Sequence, residues 1–257
     1  MSENELKLER NLDDIESSLL KSISQPNCDI SCIKNRYLAA VDAYIQVIKD
    51  FFSTQDGEGA KIHHMYQATK DLSKTYGKIK VFDADHAMYT YKEYYQGMLS
   101  FLDNNISLIG NSDDSQQCDK IKEIGEKDGL FIDSLFVGRN ARELETSIYD
   151  GVSNLEVLID FVTELRKAKD YMSETVDKIT SLGHYDNIVA RELLIFYCRS
   201  TIRFSTRLIK SIFDSYVTLR KSLCSGCCSD EVYEKLKSYS GTSRGEKVQS
   251  ADGLRLF

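Results

Sequence analysis

The sequence predicts an all-α fold: an elongated helical bundle with two long antiparallel carboxy-terminal helices. Three observations carry this. One Pro, fourteen Gly and no Trp in 257 residues leave too few turn residues for a β-sandwich or barrel, which needs a turn every eight to twelve positions or so. Apolar side chains recur at three- and four-residue steps along most of the chain, the period of one helix face. And Tyr185–Leu223 runs without Gly or Pro between a Gly-His pair and a Cys-Ser-Gly-Cys-Cys segment.

The first element is expected over 4–24, where Leu8, Leu12, Ile15, Leu19 and Ile23 follow the steps of a coiled-coil seam. Pro26 ends it, because its ring cannot continue an interior helical ladder. Asn27 or Asp29 can cap the next helix, over 30–52, whose stripe is Ile30, Ile33, Tyr37, Val41, Tyr44, Ile48 and Phe51 or Phe52. Ser53–Gly59 reads as a loop. A weaker helix over 60–82, interrupted by Gly77, precedes one over 84–109, with Met88, Tyr91, Tyr95, Met98, Leu102 and Ile106 or Ile109 on one side. Gly110 suits the position just past its end.

Gly125, Gly129 and Gly138 divide the middle into expected short helices near 115–127 and 130–149. Leu155, Leu158, Val162, Leu165, Met172, Val176 and Ile179 then predict a helix over 152–182, closed by Gly183. A short Gly-His-Tyr link folds it back against a helix over 186–223. A last short helix is expected at Asp230–Tyr239. The domain organisation is therefore one helical domain, 1–240, with a polar, disordered tail, 241–257.

At about 100° per residue, Arg199, Arg203, Arg207, Lys210 and Lys221 share an arc of roughly 80° opposite the apolar seam of the last long helix. A basic face of this kind can bind an anionic membrane surface or an acidic partner even in a chain of net charge −7, because the local field is what an anion meets. The alternative is a solvated face paired with Asp160, Glu164, Asp170 and Glu174 of the preceding helix. Net acidity argues against general nucleic-acid binding, which needs cations against phosphates.

Seven Cys, odd in number and irregularly spaced, suit reduced thiols in a cytosolic compartment. Cys224, Cys227 and Cys228 form a cluster, and Cys28 with Cys32 lies one helical turn apart. Together they could supply four zinc ligands; the cluster could instead be palmitoylated, or all could be ordinary thiols. His63-His64 and Asp83, Asp85, His86 lack the Glu-x-x-His pairs of a di-iron bundle, so a structural or capping role is expected. Tyr89, Tyr91, Tyr94 and Tyr95 could stack on a ligand, but core packing explains them. No phosphate-binding glycine loop, nucleophile elbow or His-Glu-x-x-His motif occurs. No catalytic site, metal or cofactor is expected.

The segment order resembles the BAR domains that precede lipid-binding modules in GTPase-activating proteins. The resemblance rests on an amino-terminal seam helix (LERNLDDIESSLLKSI), a Tyr/Phe-studded helix (RYLAAVDAYIQVIKDFF), a Lys70-Asp71-Leu72-Ser73 segment, a Tyr-rich helix and the two long final helices. It spans most of 6–223, and no sharp motif accompanies it. Pro26 and the 53–59 segment depart from it by cutting an expected continuous helix. The resemblance implies an antiparallel dimer of three-helix coiled coils with a basic concave surface against anionic membrane. The 14-3-3 class matches in size, acidity and helix content, but its phosphate-clamping Lys/Arg/Tyr motifs are not found. The expectation is thus a non-catalytic cytoplasmic scaffold, a homodimer peripheral to a membrane. The second expectation is a helical protein-binding module, an effector or immunity-type partner, without lipid affinity.

Overall fold

The computed structural model describes residues 3–70, 79–82, 84–109, 115–136, 141–144 and 147–224. They form six helices: α1 (Glu3–Ile23), α2 (Ile30–Lys70), α3 (Ala84–Ser107), α4 (Ser115–Phe136), α5 (Ser147–Ser181) and α6 (Ile188–Cys224). The strands β1 (Ile79–Phe82) and β2 (Ala141–Leu144) pair as a short antiparallel ribbon, with Ile79 opposite Leu144 and Phe82 opposite Ala141. The expected helix at 230–239, the tail at 241–257, and Cys227 and Cys228 lie outside the described residues.

Side-chain pairs fix the directions of the helices. Tyr37 meets Tyr197 and Phe51 stacks on Phe213 at 4.2 Å between centroids, so α2 runs parallel to α6. Lys210 reaches Asp13 and Arg199 reaches Ser24, so α1 is antiparallel to α6. Tyr91 lies against Phe204 and Phe101 against Phe196, which makes α3 antiparallel as well. Asp128 and Asp133 of α4 meet Ser200 and Arg203 in that order, which makes α4 parallel. The helices therefore alternate up and down in chain order, the arrangement that short links favour.

α6 is the axis, in contact with all five other helices. Its sequence explains why. Leu193 to Cys198 is an unbroken buried run, and Ile202, Phe204, Leu208, Ile209, Ile212 and Phe213 continue it. A helix apolar over most of its circumference must be enclosed. The small polar residues between them, Thr201, Ser205 and Thr206, are buried too, and each hydroxyl donates to a carbonyl four residues back. One continuous core joins the six helices.

Local chemistry sets the ends. Gly183 takes φ +76°, the left-handed conformation that ends α5. There Gly183 N–H donates to Thr180 O and His184 N–H to Ile179 O, each at 3.0 Å. Asn187 Oδ1 then accepts from Val189 and Ala190 N–H at 2.9 and 3.1 Å, capping α6. Of the two caps foreseen for α2, Asp29 serves: its Oδ1 accepts from Cys32 N–H at 2.7 Å.

Three expectations about the elements are corrected. Residues 53–59 are helical, so α2 is continuous for 41 residues, about 60 Å at 1.5 Å per residue. Gly57 and Gly59 cost roughly 1 kcal/mol each in a helix interior, which weakens a helix without breaking it. Residues 79–82 and 141–144, expected inside the helices over 60–82 and 130–149, are instead paired strands; Ile79, Val81 and Phe82 favour one. And α4 runs straight through Gly125 and Gly129. Those glycines are places of close approach to α6: a Cβ on Gly125 would stand 3.3 Å from Phe196, and one on Gly129 would stand 2.9 Å from Arg203 Nη1.

Candidate functional site

The basic strip of α6 lies between α1 and α4. Glycine at 129 lets the Arg203 side chain cross α4 and reach Asp133, one helical turn further on. Arg203 Nε donates to Asp133 Oδ1 at 3.0 Å, and its Nη2 bonds the second carboxylate oxygen, so the pair is two-pronged. Arg207 Nε donates to the same Oδ1 at 3.0 Å. Both arginines and Asp133 are about one-third exposed. The hydrogen bond from Arg203 above all, then that from Arg207, holds the Asp133 carboxyl below its usual range.

On the other flank, Lys210 Nζ spans both oxygens of Asp13 at 3.0 and 2.8 Å, and Arg199 Nη2 donates to Ser24 Oγ at 3.2 Å. So four of the five predicted cations bridge α6 to α1 and α4. The side chain of Lys221, like that of Cys224, is outside the described set. The partners are not the α5 carboxylates expected from the sequence. Asp160, Asp170 and Glu174 are exposed, and Glu164 is buried and paired with Lys167 at 2.9 Å. The α5 acids face away because α4, absent from a simple hairpin picture, occupies that flank of α6.

Arg191 belongs to this system and escapes the angular pattern, falling about 80° outside the strip at 100° per residue. It clasps the α1–α2 corner. Its Nε donates to Cys28 O at 3.0 Å and its Nη2 to Gln25 O at 2.8 Å and Ile23 O at 3.3 Å. A guanidinium here satisfies Ile23 O at the end of α1, where carbonyls lack intrahelical donors, and ties it to the carbonyls of the link.

The tyrosine run packs as core. Tyr91 is fully buried, stacked on Tyr95 and edge-on to Phe161 and Phe204. Tyr197 OH donates to Ala168 O at 3.1 Å, so Tyr95 OH must donate the 2.8 Å bond that joins the two phenols. Tyr94 OH donates to Asp128 Oδ2 at 2.6 Å, and Ser200 Oγ bonds the same oxygen. Tyr89 alone of the four is mostly exposed, bonded to Glu93. Burial pushes the phenols of Tyr37, Tyr91, Tyr95 and Tyr197 well above their ordinary range, and that of half-buried Tyr171 to about 12. Protonated phenols of this kind support packing and hydrogen bonding.

Cys28 and Cys32, foreseen as reduced thiols one turn apart, are joined as a disulfide across the start of α2. Cys118 and Cys198 are buried. Among the described residues no group of three or more His, Cys, Asp or Glu is placed to hold a metal ion. No described helix is long and apolar enough to cross a membrane. Comparison with protein-family models, with curated proteins and with solved structures gives no match to this chain.

Proposed function

We propose that this chain is a non-catalytic helical adaptor that binds a protein partner and has no affinity for anionic lipid. The observation that carries this reading is the use of Arg199, Arg203, Arg207 and Lys210 as bridges from α6 to α1 and α4. Arg203, Arg207 and Lys210 are paired with carboxylates and must give up those partners to meet a phosphate, so their gain at a lipid surface is much less than the roughly 1 kcal/mol of a free Lys or Arg there. Arg203, Arg207 and Lys210 are thus engaged within the fold, in a chain whose net charge is −7. Asp160, Asp170 and Glu174 lie exposed along α5 among the exposed Arg166, Lys167 and Lys178, and Asp177 pairs with Lys34 at 3.7 Å. The net negative charge of the whole chain favours a partner with a basic surface. Burial of α6 by the chain's own five other helices supports a module that needs no second copy to close its core.

The second reading is the BAR-like dimer on an anionic membrane. One observation favours it: α2, α5 and α6, of 41, 35 and 37 residues, are long helices in mutual contact, as a three-helix coiled coil requires. Co-sedimentation with phosphatidylserine vesicles at low ionic strength separates the two. The adaptor stays in the supernatant, as it does with phosphatidylcholine. Pelleting with anionic vesicles alone, reversed by salt, would replace the adaptor reading with the membrane scaffold.

A further inference from the structure

The two cysteines at the start of α2 are built differently from the buried thiols elsewhere. Cys28 precedes the cap residue Asp29 and is 2% exposed. Cys32 is the third residue of α2 and partly exposed. Their Cα atoms stand 5.3 Å apart, within disulfide reach, and the sulfurs are joined. Arg36, one turn further along and exposed, donates from Nε to Cys32 Sγ at 3.1 Å. A sulfur at a helix amino terminus beside a guanidinium is placed to be stabilised as thiolate, by the helix dipole and by the adjacent positive charge. The Asp29 carboxylate in the same turn is engaged by Cys32 N–H at 2.7 Å and by Tyr185 O–H at 3.0 Å.

We infer that Cys28–Cys32 is a reversible thiol–disulfide site that exchanges with low-molecular-weight thiols and their disulfides. In reduction, a small thiolate RS⁻ attacks Cys32 Sγ, the more accessible sulfur. The Cys28–Cys32 bond breaks, an RS–Cys32 mixed disulfide forms, and Cys28 leaves as thiolate and takes a proton. A second RS⁻ then attacks the small-molecule sulfur of the mixed disulfide and releases RSSR. Cys32 leaves as a thiolate held by Arg36. Two electrons and one proton, taken by Cys28, pass to the protein; the second proton goes to solvent, and two RSH become one RSSR. Oxidation is the reverse: Cys32 thiolate attacks RSSR, and Cys28 thiolate then displaces RS⁻ from Cys32.

The surrounding fold permits this without unfolding. The ring closes only the segment from Cys28 to Cys32, so it removes little freedom from the unfolded chain. The corner is held independently, by Arg191 on the carbonyls of Ile23, Gln25 and Cys28 and by Asp29 on the first turn of α2.

The test equilibrates the intact chain with reduced and oxidised glutathione, followed by alkylation and peptide mass mapping. One tryptic peptide, 22–34, carries both cysteines. The expected result is an oxidised peptide in excess oxidised glutathione and full conversion to the dithiol in excess reduced glutathione. In the dithiol, Cys32 is alkylated at least about tenfold faster than Cys118 and Cys198, because their burial excludes reagent. Arg36→Gln should slow alkylation of Cys32 several-fold. Cys32→Ser should keep the helical circular dichroism of the parent. A pair that stays reduced in excess oxidised glutathione, a Cys32 no faster than the buried thiols, an Arg36→Gln variant with unchanged rate, or a Cys32→Ser variant that unfolds would each overturn the inference.

Discussion

Gly129 and Arg203 occupy one space: a Cβ on the glycine would stand 2.9 Å from the arginine Nη1. The missing side chain is the passage through which Arg203 reaches Asp133. Two effects therefore compete in Gly129→Ala. Alanine is favoured over glycine by about 1 kcal/mol in a helix interior, but its methyl displaces the guanidinium from its carboxylate. The substitution should be neutral or destabilising in the parent chain and stabilising by about 1 kcal/mol in an Arg203→Ala background. Chemical denaturation of the four proteins reads this reversal of sign.

Asp133 supplies a pH signature. Its carboxyl is held below the ordinary range by Arg203 and Arg207. A depressed carboxylate contributes stability that is fully present above its unfolded value, about 3.9. That stability is lost as pH falls through the folded value. Asp133→Asn should therefore be less stable than the parent by about 1–2 kcal/mol, with a constant gap from pH 5 to 8. Below about pH 4 the gap should close. Denaturation midpoints across that range check it.

Tyr91 OH is buried without a hydrogen-bond partner among the described residues. A buried donor left unsatisfied costs about 1–3 kcal/mol, so Tyr91→Phe should raise stability by about 1 kcal/mol. Tyr95→Phe, which removes the donor to Tyr197, should lower it by a similar amount. Equal effects from the two substitutions would contradict this reading of the core.

The α5–α6 turn depends on Gly183 for its backbone conformation and on Asn187 for its cap. Asn187→Ala removes the cap of α6 and should cost about 1 kcal/mol. Gly183→Ala forces a Cβ into the left-handed region, which costs about 1–2 kcal/mol. Thermal unfolding of both variants measures these costs.

Periodicity made most of this architecture legible. The stripe of α3, the seam of α1 and the α5–α6 hairpin follow from apolar spacing, and their ends from Pro26, Asp29 and Gly183. The basic strip was legible as a strip, since Arg199, Arg203, Arg207 and Lys210 share one arc. Its partners were not, because pairing with Asp13 and Asp133 depends on which helices flank α6, and no local pattern encodes that. Gly125 and Gly129 misled for a related reason. In sequence a glycine signals a break as readily as a close helix contact, and only Phe196 and Arg203 on the facing helix tell the two apart. Arg191 stayed hidden because its work is on backbone carbonyls, which carry no sequence signature.

The central claim is that the basic strip of α6 is structural, and a double-mutant cycle on Asp133 and Arg203 tests it most directly. Stability of the parent, Asp133→Ala, Arg203→Ala and the double variant gives the coupling between the two side chains. The account predicts a coupling of about 1 kcal/mol or more, as expected for partners in contact. Additivity within roughly 0.3 kcal/mol would mean that Arg203 does not hold α4, and the strip would return to being a face free to meet anions.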